Sequence, residues 1–123
     1  MKSKTALTVL LTVALAVALY AESNITTEEA GKKLKAGAVL VDVRTQEEFA
    51  AKRVPGATNL PLDTVKTSIT NVAPDKSTVV LLHCRTGRRS GIAEKELRSL
   101  GYTNCFNLGS FEQAEEAVKS RSK

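Results

Sequence analysis

The chain contains few of the residues from which metal sites and nucleic-acid surfaces are built. Among 123 residues there are one histidine and two cysteines, too few for an ordinary four-ligand zinc site. Aromatic residues make up 4% and tryptophan is absent, and no basic stripe is interleaved with aromatic rings as in nucleic-acid-binding chains. We therefore expect no metal, no bound cofactor and no nucleic-acid partner. The length supports one domain with one core.

The first 21 residues differ from the rest in composition. Lys2 and Lys4 precede an uncharged stretch, residues 5–21, that is rich in leucine, alanine and valine. A basic start, an apolar centre and small residues at the end are typical of a secretory signal peptide. We expect cleavage after Ala21, with Ala18 as the alternative site, and export of the remaining chain to the periplasm.

The same stretch is short for a membrane anchor. A helix that spans a bilayer needs about 20 apolar residues, and residues 5–21 fall short of that even when their threonines are counted. An uncleaved anchor is the alternative to a signal peptide. After cleavage we expect no stable membrane insertion, and the formal net charge of +5 falls to +3 because two lysines are lost.

The rest of the chain alternates between strand-like and helix-like patterns. Residues 39–43 and 78–83 are too apolar for exposed strands, so both should be central and parallel. This alternation predicts one α/β domain over residues 22–123, with a mainly parallel sheet and helices on both faces. Further strands are predicted at residues 59–60 and 105–108. A capping box from Thr26 to Glu29 predicts a first helix. Further helices are predicted at residues 47–52, 65–72, 90–100, where Ser90 is the expected N-cap, and 111–119.

The sequence Cys-Arg-Thr-Gly-Arg-Arg at residues 84–89 connects the second buried strand to the helix that follows. Such a junction points several backbone N–H groups at one spot, and the helix N-terminus adds partial positive charge. A thiol at Cys84 should ionise easily there, and the arginines should attract an anion. The loop therefore predicts a nucleophilic sulfur beneath an oxyanion site. The predicted substrate-binding residues are Arg85, Thr86, Gly87, Arg88 and Arg89.

Four kinds of function are weighed for a cysteine in such a loop. Sulfur transfer needs no general base once the thiolate has formed, which suits a site without a partner histidine. Cysteine phosphatases and arsenate reductases place an arginine six residues after the cysteine, to grip the substrate oxygens, and that position is Ser90 here. A cysteine hydrolase needs a histidine base, but His83 should point to the opposite face of the strand from Cys84. A non-catalytic sulfur carrier or binding module on the same fold is the fourth interpretation.

Asp42 and Arg44 lie at the end of the first buried strand. A charged residue in such a run is costly unless it is paired, so we interpret both as supports of the active-site loop, with substrate contact as the alternative. Cys105 lies in the last strand, where a core residue is expected. Although an exported chain meets an oxidising compartment, we interpret Cys105 as structural and Cys84 as the catalytic cysteine.

Together these segments resemble the rhodanese family of sulfurtransferases. The form Cys-Arg-x-Gly-x-Arg is associated with its thiosulfate-using members, and residues 84–89 match it. Val-Asp-Val-Arg at 41–44 and Val-Pro-Gly-Ala at 54–57 also resemble family motifs. The chain departs from the family pattern at Arg53, where histidine is common, and in Gly-Ser-Phe at 109–111, where Gly-Gly-aromatic is usual.

The resemblance implies a rhodanese-like domain that works as a thiosulfate sulfurtransferase. Cys84 would take the sulfane sulfur of thiosulfate as a persulfide and pass it to cyanide or a thiol. The two departures bear on the acceptor and on the C-terminal packing, since neither lies in the cysteine loop.

Overall fold

The computed structural model describes residues 25–123, so the predicted leader and its cleavage site lie outside the described residues. Four strands and five α-helices alternate along this part of the chain. The strands are β1 (Val39–Asp42), β2 (Thr58–Asn59), β3 (Val80–His83) and β4 (Cys105–Gly109). The helices are α1 (Thr27–Lys35), α2 (Gln46–Ala51), α3 (Val65–Ser68), α4 (Arg88–Ser99) and α5 (Phe111–Arg121), and a short 3₁₀ turn, Ile69–Asn71, follows α3.

The strands form one parallel sheet in the order β2-β1-β3-β4. Asp42 lies opposite His83 in the pairing of β1 with β3. The two central strands therefore end side by side, and the segments that carry Arg44 and Cys84 leave the sheet at the same edge. Ligands of parallel α/β sheets bind at this carboxyl edge.

The alternation of side chains along β3 divides the core into two layers. Val80, Leu82 and Cys84 pack in the layer that contains buried residues of α3 and α4. Leu81 faces the opposite layer, which contains buried residues of α1 and α5. Helices thus cover both faces of a parallel sheet, and the predicted α/β class is confirmed. Among residues 25–123, no helix is long and apolar enough to cross a membrane.

The helix after the cysteine loop begins earlier than the sequence pattern predicted. Its first residue is Arg88 and its N-cap is Gly87, whose φ of +99° is in the left-handed region. Glycine suits this position because other residues are strained at such a φ, and because a Cβ there would lie 3.2 Å from the Cα of Gly109. The prediction of Ser90 as N-cap is therefore wrong: Ser90 is buried in the first turn of α4.

The predicted helix at residues 65–72 also differs. It divides into the single turn of α3 and the 3₁₀ turn. Two other helix starts carry complete capping boxes, Thr45 with Glu48 at α2 and Ser110 with Gln113 at α5. The second box lies where the chain departs from the usual Gly-Gly-aromatic pattern, because Ser110 replaces the second glycine and caps α5.

Candidate active site

Cys84 follows β3 directly and is fully buried. Its backbone N–H donates to the carbonyl of Gly109 at 3.1 Å, which ties the end of β3 to the end of β4. The next residues are tied to the same neighbour, since Thr86 and Ser110 form an isolated antiparallel bridge and the Phe111 N–H donates to the Arg85 carbonyl at 3.3 Å. The loop is therefore held on one side by the β4–α5 junction.

The Cys84 sulfur lies within a ring of hydrogen-bond donors. The backbone N–H of Gly87 donates to it at 3.0 Å, and the backbone N–H groups of Thr86 and Ser90 and the Ser90 hydroxyl also interact with it. Burial raises the pKa of Cys84, but these donors outweigh burial and lower the pKa below its ordinary value. A thiolate here also benefits from the N-terminus of α4.

The three arginines of the loop do not act as one group. Arg85 and Arg88 are exposed, where they add positive potential around the cysteine loop. Arg89 is half-buried, and its guanidinium forms a bidentate pair with the carboxylate of Glu48 at 2.6 and 3.1 Å. Arg89, in the first turn of α4, is thus paired with a carboxylate of α2, and Arg85 and Arg88 are the two arginines of the loop that form no salt bridge among the described residues.

Glu48 was not among the residues predicted for the site. The hydrogen bond from Arg89 is the main cause that lowers the pKa of Glu48 from 4.5 to about 2. Arg89 in turn has a raised pKa, chiefly because of Glu48 and in smaller part because of the nearby Cys84. The capping-box spacing from Thr45 to Glu48 is visible in the sequence. The pairing of Glu48 with Arg89, 41 residues away along the chain, is not.

Ser90 and Asn107 were also missed as members of the site. The Ser90 Oγ lies 3.4 Å from the Cys84 sulfur and 2.7 Å from the Asn107 Oδ1. The Asn107 Nδ2 donates to the carbonyl of Gly87 at 3.0 Å, and its backbone N–H donates to the Glu94 Oε2 at 2.9 Å. Asn107 on β4 therefore connects α4, the loop glycine and the serine beside the sulfur.

Asp42 and Arg44 form a buried ion pair at the end of β1. The Arg44 Nη2 lies 2.7 Å from the Asp42 Oδ2, and the same nitrogen donates to the Lys52 carbonyl at 2.6 Å. The Asn59 side chain donates to the carbonyls of both residues of the pair. These contacts fix the segments that follow β1 and α2, and the role of the pair in supporting the active-site loop stays a prediction.

His83, the last residue of β3, lies between this ion pair and the backbone of Cys84, with its Nε2 3.7 Å from the Asp42 Oδ2. Its Nδ1 lies 3.0 Å from the Cys84 carbonyl, so Nδ1 carries the proton and donates. Burial lowers the pKa of His83, although Asp42 acts in the opposite direction. The ring packs edge-on against Phe111, with 6.0 Å between the centroids, in the layer opposite the sulfur. His83 is thus a neutral packed residue, as the strand alternation predicted, and does not serve Cys84 as a base.

Cys105 is a core residue of β4. It is fully buried and its sulfur lies 3.2 Å from the Tyr102 carbonyl. Burial raises the pKa of Cys105 to about 11. This thiol stays protonated at neutral pH, and the two cysteines differ as the sequence predicted.

A cavity of about 850 Å³ opens beside Arg89. It lies between the start of α2, the segment after β2, and α4. Its walls combine apolar and polar side chains, among them Val43, Thr45, Asn59, Leu62, Lys66 and Glu96. Arg53, the other departure from the family pattern, lies elsewhere, with its guanidinium 4.7 Å from the centroid of the Phe49 ring.

Comparison with known proteins decides the family. The profile of the rhodanese-like domain matches residues 26–117, nearly all of the described chain. The chain belongs to the rhodanese-like family. Among its relatives, the thiosulfate sulfurtransferase PspE of Escherichia coli is 42% identical over 69 residues, which are 56% of this chain and 66% of PspE. A sulfurtransferase of Allochromatium vinosum is 34% identical over 70 residues, 57% of this chain and 64% of that protein.

Solved rhodanese structures share the fold described above. A structure described as rhodanese with anions from E. coli has a TM-score of 0.60 and 38% identity, and the match covers 63% of this chain and 91% of that one. The human single-domain sulfurtransferase TSTD1 has a TM-score of 0.64 and 27% identity, with 74% and 93% covered. The aligned part of this chain spans just under two thirds of PspE and less than a fifth of the yeast adenylyltransferase and sulfurtransferase UBA4 of Ogataea parapolymorpha.

Proposed function

We propose that this rhodanese-like protein is a thiosulfate sulfurtransferase with Cys84 as its sulfur carrier. The observation that carries the proposal is the ring of N–H donors from Thr86, Gly87 and Ser90 around a buried sulfur whose pKa is lowered. The likeness to a thiosulfate sulfurtransferase of E. coli supports the choice of donor. The serine six residues after the cysteine, where phosphatases place an arginine, argues against phosphate chemistry.

The reaction follows from the charge at the sulfur. The Cys84 thiolate attacks the outer sulfur of thiosulfate, the S–S bond of thiosulfate breaks, and sulfite leaves with the bonding electrons. The electron pair of the thiolate forms the new S–S bond, and the terminal sulfur of the resulting persulfide keeps the negative charge that it had in thiosulfate. The loop N–H groups already surround the Cys84 sulfur, and preorganised donors of this kind stabilise negative charge that develops beside them.

The second half of the reaction returns the enzyme to its thiolate. A nucleophilic acceptor, cyanide or a thiolate, attacks the terminal sulfur of the persulfide, and Cys84 leaves as a thiolate. Thiocyanate or an acceptor persulfide is the product. The cavity beside Arg89 offers the acceptor a way towards the loop, because Arg89 is part of both.

Export is part of the proposal. It rests on the basic and apolar order of residues 1–21 in the sequence. The proposed working form is the chain from residue 22 onwards in the periplasm.

The test is to incubate the purified chain with thiosulfate and to record its intact mass, then to add cyanide and measure thiocyanate. We expect one added sulfur atom and catalytic thiocyanate formation, and both should be lost in Cys84→Ser. Cys105→Ala is the matched control and should keep both. An adduct without turnover would indicate a sulfur carrier, and activity that survives Cys84→Ser would refute the proposal.

A further inference from the structure

The hydroxyl of Ser90 has one proton and two neighbours that can accept it. The Asn107 Oδ1 lies 2.7 Å from the Ser90 Oγ, and the Cys84 sulfur lies 3.4 Å from it. The identity of the Asn107 atom is fixed by its other end, because the Nδ2 donates to the carbonyl of Gly87. An amide oxygen only accepts hydrogen bonds. It therefore competes with the sulfur for the same serine proton.

The charge of the sulfur decides how this competition ends. A neutral thiol has its own proton and can donate it to the Ser90 Oγ, while the serine hydroxyl donates to Asn107; each group is then satisfied. A thiolate only accepts, and a charge-assisted hydrogen bond to it is stronger than a neutral one. The distance of 2.7 Å to Asn107 is typical of an O–H···O bond, and the sulfur at 3.4 Å is also within hydrogen-bond reach, so either acceptor can take the one serine proton.

We propose that Ser90 is a positioning residue that turns its hydroxyl from Asn107 to the Cys84 sulfur when that sulfur becomes an anion. The thiol proton passes to water, and rotation about the Cβ–Oγ bond of Ser90 brings its proton to the sulfur. Asn107 then loses one donor while its amide stays fixed on Gly87. The asparagine thus opposes the anion, and the serine stabilises it. This inference rests on the proposed role of Cys84 as the nucleophile.

The persulfide should use the same switch. During sulfur transfer the Cys84 sulfur loses its negative charge as it forms the new S–S bond, and the serine proton becomes available to Asn107 again. When the acceptor removes the terminal sulfur, the Cys84 thiolate is restored. The Ser90 hydroxyl would then turn from Asn107 back to the Cys84 sulfur. Ser90 and Asn107 therefore act on the acidity of the thiol and on the lifetime of the persulfide.

The test is the pH profile of Cys84 alkylation by iodoacetamide, which needs no sulfur donor. Ser90→Ala should raise the apparent pKa of Cys84 by about one unit, because one charge-assisted donor is lost, and Ser90→Thr should restore it. Asn107→Leu should lower the apparent pKa by about half a unit, because the competing acceptor is gone. Ser99→Ala is the matched control, since Ser99 lies on the same helix, is exposed and bonds to the Glu96 carbonyl.

The double variant separates a switch from a packing role. In the Ser90→Ala background, Asn107→Leu should leave the alkylation profile unchanged, because there is no hydroxyl to compete for. Equal shifts in both backgrounds, or an unchanged profile in a folded Ser90→Ala variant, would overturn the inference. If Ser90→Ala does not fold, the Asn107→Leu variant alone tests the inference. An alkylation profile of Asn107→Leu that is unchanged, or that moves to higher pH, contradicts the switch. A wild-type chain that alkylates normally but takes no sulfur from thiosulfate would refute the proposed function instead.

Discussion

The ion pair between Glu48 and Arg89 allows one prediction to be worked out from the structure. Glu48→Gln removes the negative charge and leaves the shape of the side chain. Glutamine can still accept the N–H of Thr45, which Glu48 accepts at 3.2 Å, because glutamine serves at this position of a capping box. The substitution therefore tests the charge pair with little change to the start of α2.

The expected magnitude follows from the pKa of Glu48. A fall from 4.5 to about 2 corresponds to ~3 kcal/mol at about 1.4 kcal/mol per unit. The side chains of Arg89 and Glu48 are 31% and 32% exposed, Thr45 causes part of the shift, and solvent screening reduces such a pair to about 1 kcal/mol. We expect Glu48→Gln to lower the free energy of unfolding by that amount at pH 7.

The stabilisation by the pair of Glu48 and Arg89 should depend on pH in a defined direction. The folded-state pKa of Glu48 lies below its unfolded value, so the stabilisation is complete above about pH 5 and is lost as the pH falls towards 2. Urea unfolding at pH 7, 5, 4 and 3 should show the difference between wild type and variant shrinking step by step. Glu47→Gln is the control, since Glu47 is exposed on the same helix. If the difference in unfolding free energy between wild type and Glu48→Gln stays constant with pH, the charge pair does not cause it.

Three further predictions follow from the loop, its neighbour and the leader. Arg85→Ala or Arg88→Ala should lower kcat/KM for thiosulfate on the order of tenfold, because each removes an exposed charge near a dianion site; a neutral sulfur donor should be affected less, and equal losses would contradict the charge argument. Gly109→Ala should cost about 1–3 kcal/mol in urea unfolding, because a residue with a Cβ is strained at a φ of +112° and because the Gln113 side chain would have to give up its hydrogen bond from the Ser110 N–H; Gly37→Ala, with a φ of +106° and open space, measures the backbone part alone. The exported protein should begin with Glu22 by N-terminal sequencing, and a chain that still begins with Met1 in the periplasm would exclude cleavage.

Much of the fold could be predicted because its signals are local. The apolar runs of β1 and β3 and the cysteine loop each lie within a few consecutive residues. The prediction for Ser90 failed for a physical reason: serine is a common N-cap, but here the left-handed Gly87 begins the helix. Ser90 then lies inside the first turn, with its hydroxyl between the Cys84 sulfur and Asn107.

The contacts of the site that span the sequence could not be predicted. Arg89 pairs with a carboxylate 41 residues away and Ser90 with an amide 17 residues away. Nothing in either local pattern marks the partner, because the pairing depends on how α2 and β4 are brought to α4. For the same reason the sequence indicates one cationic group of loop arginines, because the partner of Arg89, Glu48, lies far away along the chain.

The attachment of the cysteine loop to the β4–α5 junction also constrains the order in which the molecule can be completed. The ties to Cys84, Arg85 and Thr86 all come from residues 109–111, which follow the loop in the chain with the whole of α4 between them. Synthesis runs from the N-terminus, so these residues leave a ribosome after the loop itself. A growing chain that stops short of β4 therefore carries Cys84 without the backbone that holds its loop. The loop reaches its described shape only after β4 has been made and has paired with β3.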